Sequence, residues 1–91
     1  MGYYVQGPAH RKADFIMKNY DSMKVTLPEA KEAVMEGMGV ICVVDNGVFE
    51  AAAFCYNEQE FNAFNDPSDN RPKTWLIMDR KKAEELSKFN Q

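Results

Sequence analysis

The sequence is poor in the side chains that carry most metal and nucleophilic chemistry. It has one histidine, His10, and two cysteines, Cys42 and Cys55. Zinc sites need a cluster of such ligands, and a Cys–His or Ser–His catalytic pair would have to use the single histidine. No glycine-rich phosphate loop is present either. We therefore expect no metal site, no cofactor and no catalytic set of these kinds.

Long apolar runs are also missing. No stretch approaches the roughly 20 apolar residues that a membrane helix needs. The first residues lack the basic and then apolar order of a secretory signal. We therefore expect a cytoplasmic protein with reduced thiols and no membrane partner.

Lysine and arginine are absent from the middle of the chain. Residues 32–69 carry eight Asp or Glu and no Lys or Arg, whereas residues 1–31 have a net charge of +2 and residues 70–91 a net charge of +3. Two interpretations follow. The basic ends fold back and neutralise the acidic middle, or the middle forms an acidic face that steers a basic partner.

The 91 residues are enough for one domain, residues 1–91, with one core. Aromatic and β-branched residues predict strands near residues 2–6, 40–44, 48–56 and 73–78. Helical stripes and N-cap residues predict helices over residues 8–20, 26–36 and 57–64 and after Asp79, with Thr26, Asn57 and Asp79 as caps. The order β-α-α-β-β-α-β-α predicts an α+β fold, a four-stranded mixed sheet with three to four packing helices. Its third and fourth strands would run parallel through a crossover.

A central β-hairpin over about residues 39–56 is the strongest local signal. Asn46-Gly47 is typical of a type I′ turn, which would place Cys42 opposite Ala51 and Cys55 about 13 Å away from Cys42. That distance excludes a disulfide. Both hairpin faces are apolar, so either helices cover both faces, or one face meets a second subunit or a partner.

Glu50 is the one acid inside an apolar stripe of the hairpin. It either lies near a sheet end or pairs with a basic residue, or it is a desolvated carboxylate that acts as a general acid or a partner anchor. Asp66 and Asp69 lie in a polar loop. We expect them to form turns rather than to bind a metal ion.

A second candidate site lies in residues 7–18. Gly7 and Pro8 open a helix, and helix N-termini attract anions. Cationic and aromatic side chains on this helix, together with the single tryptophan, could bind a small ligand or a nucleic acid. The candidate residues are Arg11, Lys12, Phe15, Lys18 and Trp75.

The small size, the lack of catalytic residues and the Met- and aromatic-rich composition are similar to those of accessory proteins of phages and mobile elements. That resemblance implies a protein that binds and blocks a larger one. We therefore expect a small non-enzymatic protein-binding domain that binds a protein partner or itself as a homodimer. The alternatives are a ligand or nucleic-acid binder that uses residues 7–18, and a small enzyme centred on Glu50.

Overall fold

A computed structural model describes residues 8–88 of the chain. The strand predicted at residues 2–6 lies outside the described residues. The helices are α1 (Pro8–Asn19), α2 (Leu27–Met35), α3 (Glu58–Phe64) and α4 (Arg80–Ser87), with a 3₁₀ turn at Asp21–Met23. The strands are β1 (Lys24–Val25), β2 (Gly39–Asp45), β3 (Glu50–Cys55) and β4 (Lys73–Met78). The α+β fold and the central hairpin are confirmed.

The sheet has the strand order β1-β4-β2-β3, and every described pair is antiparallel. Among residues 8–88 the sheet is therefore antiparallel, and the mixed sheet that the sequence predicts is not found there. β3 takes one edge of β2 through the hairpin, and α3 carries the chain across to the other edge, where β4 pairs. β3 and β4 do run in the same direction, but β2 lies between them, so no parallel ladder forms.

Helices cover both faces of the sheet, which decides between the two interpretations of the apolar hairpin. α2 and α3 pack on one face, and α1 and α4 pack on the other. The alternation of side chains along β2 divides the core accordingly. The first face buries Val40, Cys42, Val44, Cys55, Phe61 and Trp75. The second buries Ala13, Ile16, Ile41, Val43, Leu76, Met78, Ala83 and Leu86.

Two of the three predicted helix caps form. Thr26 and Glu29 make the reciprocal capping box of α2, and the Glu29 amide donates to Thr26 Oγ1 at 3.4 Å. Asn57 Oδ1 accepts the Glu60 amide of α3 at 2.8 Å. Asp79 occupies the N-cap position of α4, but its side chain accepts no capping hydrogen bond there.

The hairpin turn lies one residue later than the sequence predicts. Asn46 N–H donates to the Phe49 carbonyl at 3.2 Å, so Gly47 and Val48 are the central residues. Gly47 has φ of +91° and no described non-glycine residue has a positive φ, which fits a glycine-first turn of type II′ rather than type I′. The Asn46 side chain instead accepts the amides of Val48 and Phe49, each at 3.0 Å.

This shift changes the pairing but preserves the two faces. Cys42 lies opposite Ala53 instead of Ala51, and Cys55 lies opposite Val40. Each partner moves by two positions, so every side chain keeps its side of the sheet. Asp45 lies opposite Glu50 at the turn end.

Candidate functional site

The candidate residues of α1 are divided between solvent and structural contacts. Arg11 and Lys18 are exposed. Lys12 Nζ donates to the carbonyl of Ser87 at the end of α4, which ties the two helices together. Phe15 is half-buried beside Tyr20, with ring centroids 6.1 Å apart. Only Arg11 and Lys18 of this set therefore present free charge on the surface of α1.

Trp75 lies in the core. Its side chain is 6% exposed, and its ring lies 4.7 Å from the ring of Phe61. A partner would have to open the α2–α3 side of the core to reach it. The assignment of Trp75 to a binding surface does not fit this burial.

Glu50 lies at the first position of β3, beside the hairpin turn, and is half-buried. Its backbone carbonyl accepts a hydrogen bond from His10 Nδ1 at 2.9 Å, which places a proton on that nitrogen. The His10 ring also meets the Phe49 ring edge-on, with centroids 5.0 Å apart. Among residues 8–88, no ion pair involves the Glu50 carboxylate. The sheet-end position therefore accounts for an acid in this stripe without a cation.

His10 is a residue whose role the sequence did not indicate. It joins the first turn of α1 to the start of β3. The two cysteines lie on the opposite face of the sheet, among α2 and α3. A Cys–His catalytic pair is therefore excluded by the placement of these three residues.

The cysteines are closer together than the predicted turn implied. With the observed register they are diagonal neighbours on one face, for which Cα atoms are about 7–8 Å apart. Both are buried free thiols. Burial raises the pKa of Cys42 to about 12 and the pKa of Cys55 to about 11. Cys55 Sγ also donates to the carbonyl of Glu60 at 3.7 Å.

These thiols are expected to resist alkylation and disulfide reagents while the protein is folded. The thiolate is the reactive form, and both burial and the raised pKa values reduce its population at pH 8. We expect labelling of the native protein at pH 8 to be at least 100-fold slower than labelling in denaturant, measured by mass spectrometry over time. Cys42→Ser and Cys55→Ser, labelled in parallel, assign the two sites. Rapid stoichiometric labelling of the native protein would contradict this burial.

The polar loop at residues 65–72 is organised by its own side chains. Asp66 Oδ1 accepts the amide and the hydroxyl of Ser68, each at 2.9 Å. Hydrogen bonds from Arg71 hold the pKa of Asp69 well below its usual range, and Lys73 lies 3.5 Å from the same carboxylate. Within residues 8–88, no group of three or more His, Cys, Asp and Glu side chains is arranged to hold a metal ion. The loop is a turn that is closed by ion pairs.

The sheet separates two helix layers of opposite charge. α1 and α4 together carry six Lys or Arg and three Asp or Glu, a net charge of +3. α2 and α3 together carry four Glu and one Lys, a net charge of −3. No ion pair among the described residues joins one layer to the other. Asp69 is neutralised by Arg71 and Lys73 of the basic C-terminal segment. The glutamates of α2 and α3 have no ion-pair partner among the described residues, so these two helices form an acidic face.

Apolar side chains are exposed on the acidic layer and at the hairpin tip. In α2, Met35 is 64% exposed and Leu27 is 39% exposed. Val48, in the turn, and Phe49, next to it, are also exposed. Exposed apolar groups among charges are the composition of many protein-binding surfaces. The sequence indicated the acidic segment but not which apolar residues it would present.

Comparisons with family models, with curated proteins and with solved structures found no match to this chain. No described helix is both long enough and apolar enough to cross a membrane.

Proposed function

We propose that this protein is a small protein-binding domain whose acidic layer, the exposed surface of α2 and α3, meets a partner with a basic surface. The observation that carries the proposal is the separation of charge by the sheet, with Met35 exposed among the acids. Complementary charge steers association and selects partners, whereas a central apolar side chain supplies contact energy. The partner is accordingly a protein that presents cations around an apolar pocket.

Accessory proteins that bind and block a larger protein need no catalytic set, which fits the residues present. The proposal keeps the expectation of a cytoplasmic protein, because both cysteines are free thiols and free thiols persist in reducing compartments.

The test reverses charge on the acidic layer. Glu32 in α2, Glu36 at the C-terminal cap of α2 and Glu58 in α3 are exposed, and their side chains make no hydrogen bond or ion pair with another described residue. Their joint replacement by Lys is therefore expected to leave the fold intact. We expect at least tenfold less partner to be captured from the native host by this variant. A photo-crosslinking residue at position 35 is expected to label the same partner directly.

The matched control reverses three charges on the opposite layer, Lys18, Lys81 and Lys82 to Glu. Capture of the partner by this control is expected to equal that of the wild type. The proposal is wrong if both triple variants retain the partner, or if a crosslinker at position 81 labels it as well as one at position 35.

A second candidate function has one observation in its favour. The α1–α4 layer exposes Arg11, Lys18, Lys81 and Lys82 with a net positive charge, which suits a nucleic-acid backbone. This candidate predicts salt-dependent binding of short RNA or DNA that the Lys18, Lys81 and Lys82 variant abolishes. Binding to neither nucleic acid at low salt would remove it.

A further inference from the structure

β3 is an edge strand of the described sheet. It pairs only with β2 among residues 8–88. Asn46 donates to the Phe49 carbonyl, and hydrogen-bonded pairs alternate along an antiparallel ladder. The groups that face β2 therefore belong to the odd-numbered residues of β3. The amides and carbonyls of Glu50, Ala52 and Phe54 face outward, away from β2.

A hydrogen bond on the other side of β2 agrees with this assignment of odd- and even-numbered residues. Asp45 N–H donates to the Pro72 carbonyl at 2.9 Å, in line with the register of β2 with β4. Odd-numbered residues of β2 therefore face β4 and even-numbered ones face β3. The bond from His10 to the Glu50 carbonyl likewise requires that carbonyl to point outward from the hairpin.

The chain closes both ends of this edge itself. At one end, His10 occupies the Glu50 carbonyl. At the other end, the Tyr56 amide donates to Glu60 Oε1 at 2.8 Å. Among residues 8–88, the Glu50 amide and the amides and carbonyls of Ala52 and Phe54 have no hydrogen-bond partner. The groups of Ala52 and Phe54, which lie between the two ends, form an open window. This open window is centred on Ala53, and the two closed ends are equally distant from it.

The sequence of the window lacks the residue types that usually protect an edge strand. Soluble proteins place lysine, proline, a bulge or an inward-pointing charge on exposed edges to prevent pairing with another chain. Residues 51–55 read AAAFC and contain none of these. The three alanines also leave room for a second backbone to approach.

We propose that a second copy of this chain pairs antiparallel along β3, with Ala53 of one copy opposite Ala53 of the other. In this register Ala52 lies opposite Phe54 of the second copy. Each copy then donates from the Ala52 and Phe54 amides and accepts at the carbonyls of the same residues. All the open groups of the window are paired, and the two closed ends remain closed. The two-fold axis makes the contact identical for both copies.

Charge supports the same register. Glu50 would lie opposite Tyr56 of the second copy, on the same face of the joined sheet. In each chain the Arg80 guanidinium lies over the Tyr56 ring, 5.2 Å from its centroid. The side chains of His10 and Glu60 prevent backbone pairing at these two positions. The side chains of Glu50 and Arg80 are long and lie on the same face of the joined sheet, so Glu50 of one copy would come within reach of Arg80 of the other, twice per dimer. Within one chain, Glu50 and Tyr56 are six positions apart along the strand, a distance of about 20 Å. The Glu50 carboxylate is therefore far from the Arg80 guanidinium of its own chain, which lies over Tyr56.

This interface runs along β3 and meets the acidic layer at Glu60 of α3, whose side chain binds the Tyr56 amide. Pairing along β3 leaves the exposed surface of α2, including Met35, free for another protein. The dimer therefore goes beyond the proposed function, and either proposal can fail without the other.

The first experiment exchanges the opposed charges. Glu50→Arg alone and Arg80→Glu alone each oppose like charges in a homodimer, and each is expected to weaken dimerisation at least tenfold in analytical ultracentrifugation. An equimolar mixture of the two variants is expected to form a heterodimer of wild-type affinity, because each Arg then meets a Glu. Lys81→Glu, a reversal on the same helix, is the control and is expected to dimerise normally.

The second experiment measures hydrogen exchange at the backbone amides of β3. We expect hydrogen exchange at the Ala52 and Phe54 amides to accelerate at least tenfold when the wild-type protein is diluted from dimer to monomer. Ala52→Pro removes one outward-facing donor and no ladder bond to β2, so it is expected to give a folded monomer.

Three results would overturn the proposal. The first is a wild-type protein that is monomeric at every accessible concentration. The second is protection of the Ala52 and Phe54 amides that does not change on dilution, which would assign the edge to a segment of the same chain such as residues 2–6. The third is a mixture of the two charge variants that stays monomeric.

Discussion

Replacement of Gly39 by Ala is expected to lower the free energy of unfolding by about 3 kcal/mol, the upper part of the usual range for overpacking a core. A Cβ at position 39 would lie 2.4 Å from the Cβ of Ala83 and 3.5 Å from the Cα of Arg80. Neither neighbour can rotate away, because one is a Cβ and the other is backbone. α4 would have to move off β2. Chemical denaturation followed by Trp75 fluorescence measures the change.

The matched control removes the opposing methyl group. Ala83→Gly alone is expected to cost at least about 1 kcal/mol, because glycine weakens a helix by about that amount. Added to Gly39→Ala, however, it relieves the clash, so the double variant is expected to be more stable than the sum of the single effects predicts. A coupling of about 1–3 kcal/mol is expected for such neighbours. Strictly additive effects would show that α4 does not pack on Gly39 as described.

In the hairpin, local sequence patterns predicted the strands and their faces but not the position of the turn. Aromatic and β-branched residues predicted both strands. The period of two that follows from strand geometry assigned the side chains of β2 to their correct faces. The turn was misplaced by one residue. Asn-Gly favours type I′ locally, but here the Asn46 side chain accepts the Val48 and Phe49 amides and Phe49 packs on His10. A contact from a distant helix is not visible in a local pattern.

The sequence also did not predict the strand order, or which helices lie on the same face of the sheet. A helix between two strands suggests a parallel neighbour, yet β4 pairs on the free side of β2, antiparallel to it. Nothing local states that α4 lies beside α1 rather than beside α3. That arrangement turns two separate basic segments into one cationic layer. The charge segregation was therefore predictable, but the surface that it forms was not.

The predicted binding residues differ from the observed ones mainly because of burial and long-range hydrogen bonds, which the sequence does not show. Trp75, the single tryptophan, was grouped with residues 7–18 as a binding candidate, but it packs on Phe61 in the core. Lys12 was grouped with the surface cations, but it binds a carbonyl at the end of α4. Glu50 remains a candidate binding residue, but for a different reason. Its position at the end of an edge strand makes it a contact between chains in the proposed dimer.

Phe61 anchors the short helix α3, and its replacement by Ala is expected to destabilise the protein by about 4 kcal/mol, as is usual for removal of a buried aromatic side chain. It is 0% exposed and is the one buried residue of α3. A helix of this length is unstable without tertiary contacts, so α3 is expected to detach before the rest unfolds. For a chain of this size, total stability of about 5–14 kcal/mol leaves a partly folded state within reach.

The thiols distinguish local detachment of α3 from general destabilisation. Cys55 donates to the Glu60 carbonyl of α3, whereas Cys42 lies on the central strand β2. In Phe61→Ala, alkylation of Cys55 is expected to accelerate by a larger factor than alkylation of Cys42. Phe61→Leu fills most of the space and is the control, for which a smaller loss of stability and slow labelling of both thiols are expected. Equal acceleration at the two cysteines would mean that Phe61 supports the whole core, and that α3 does not open separately from β2.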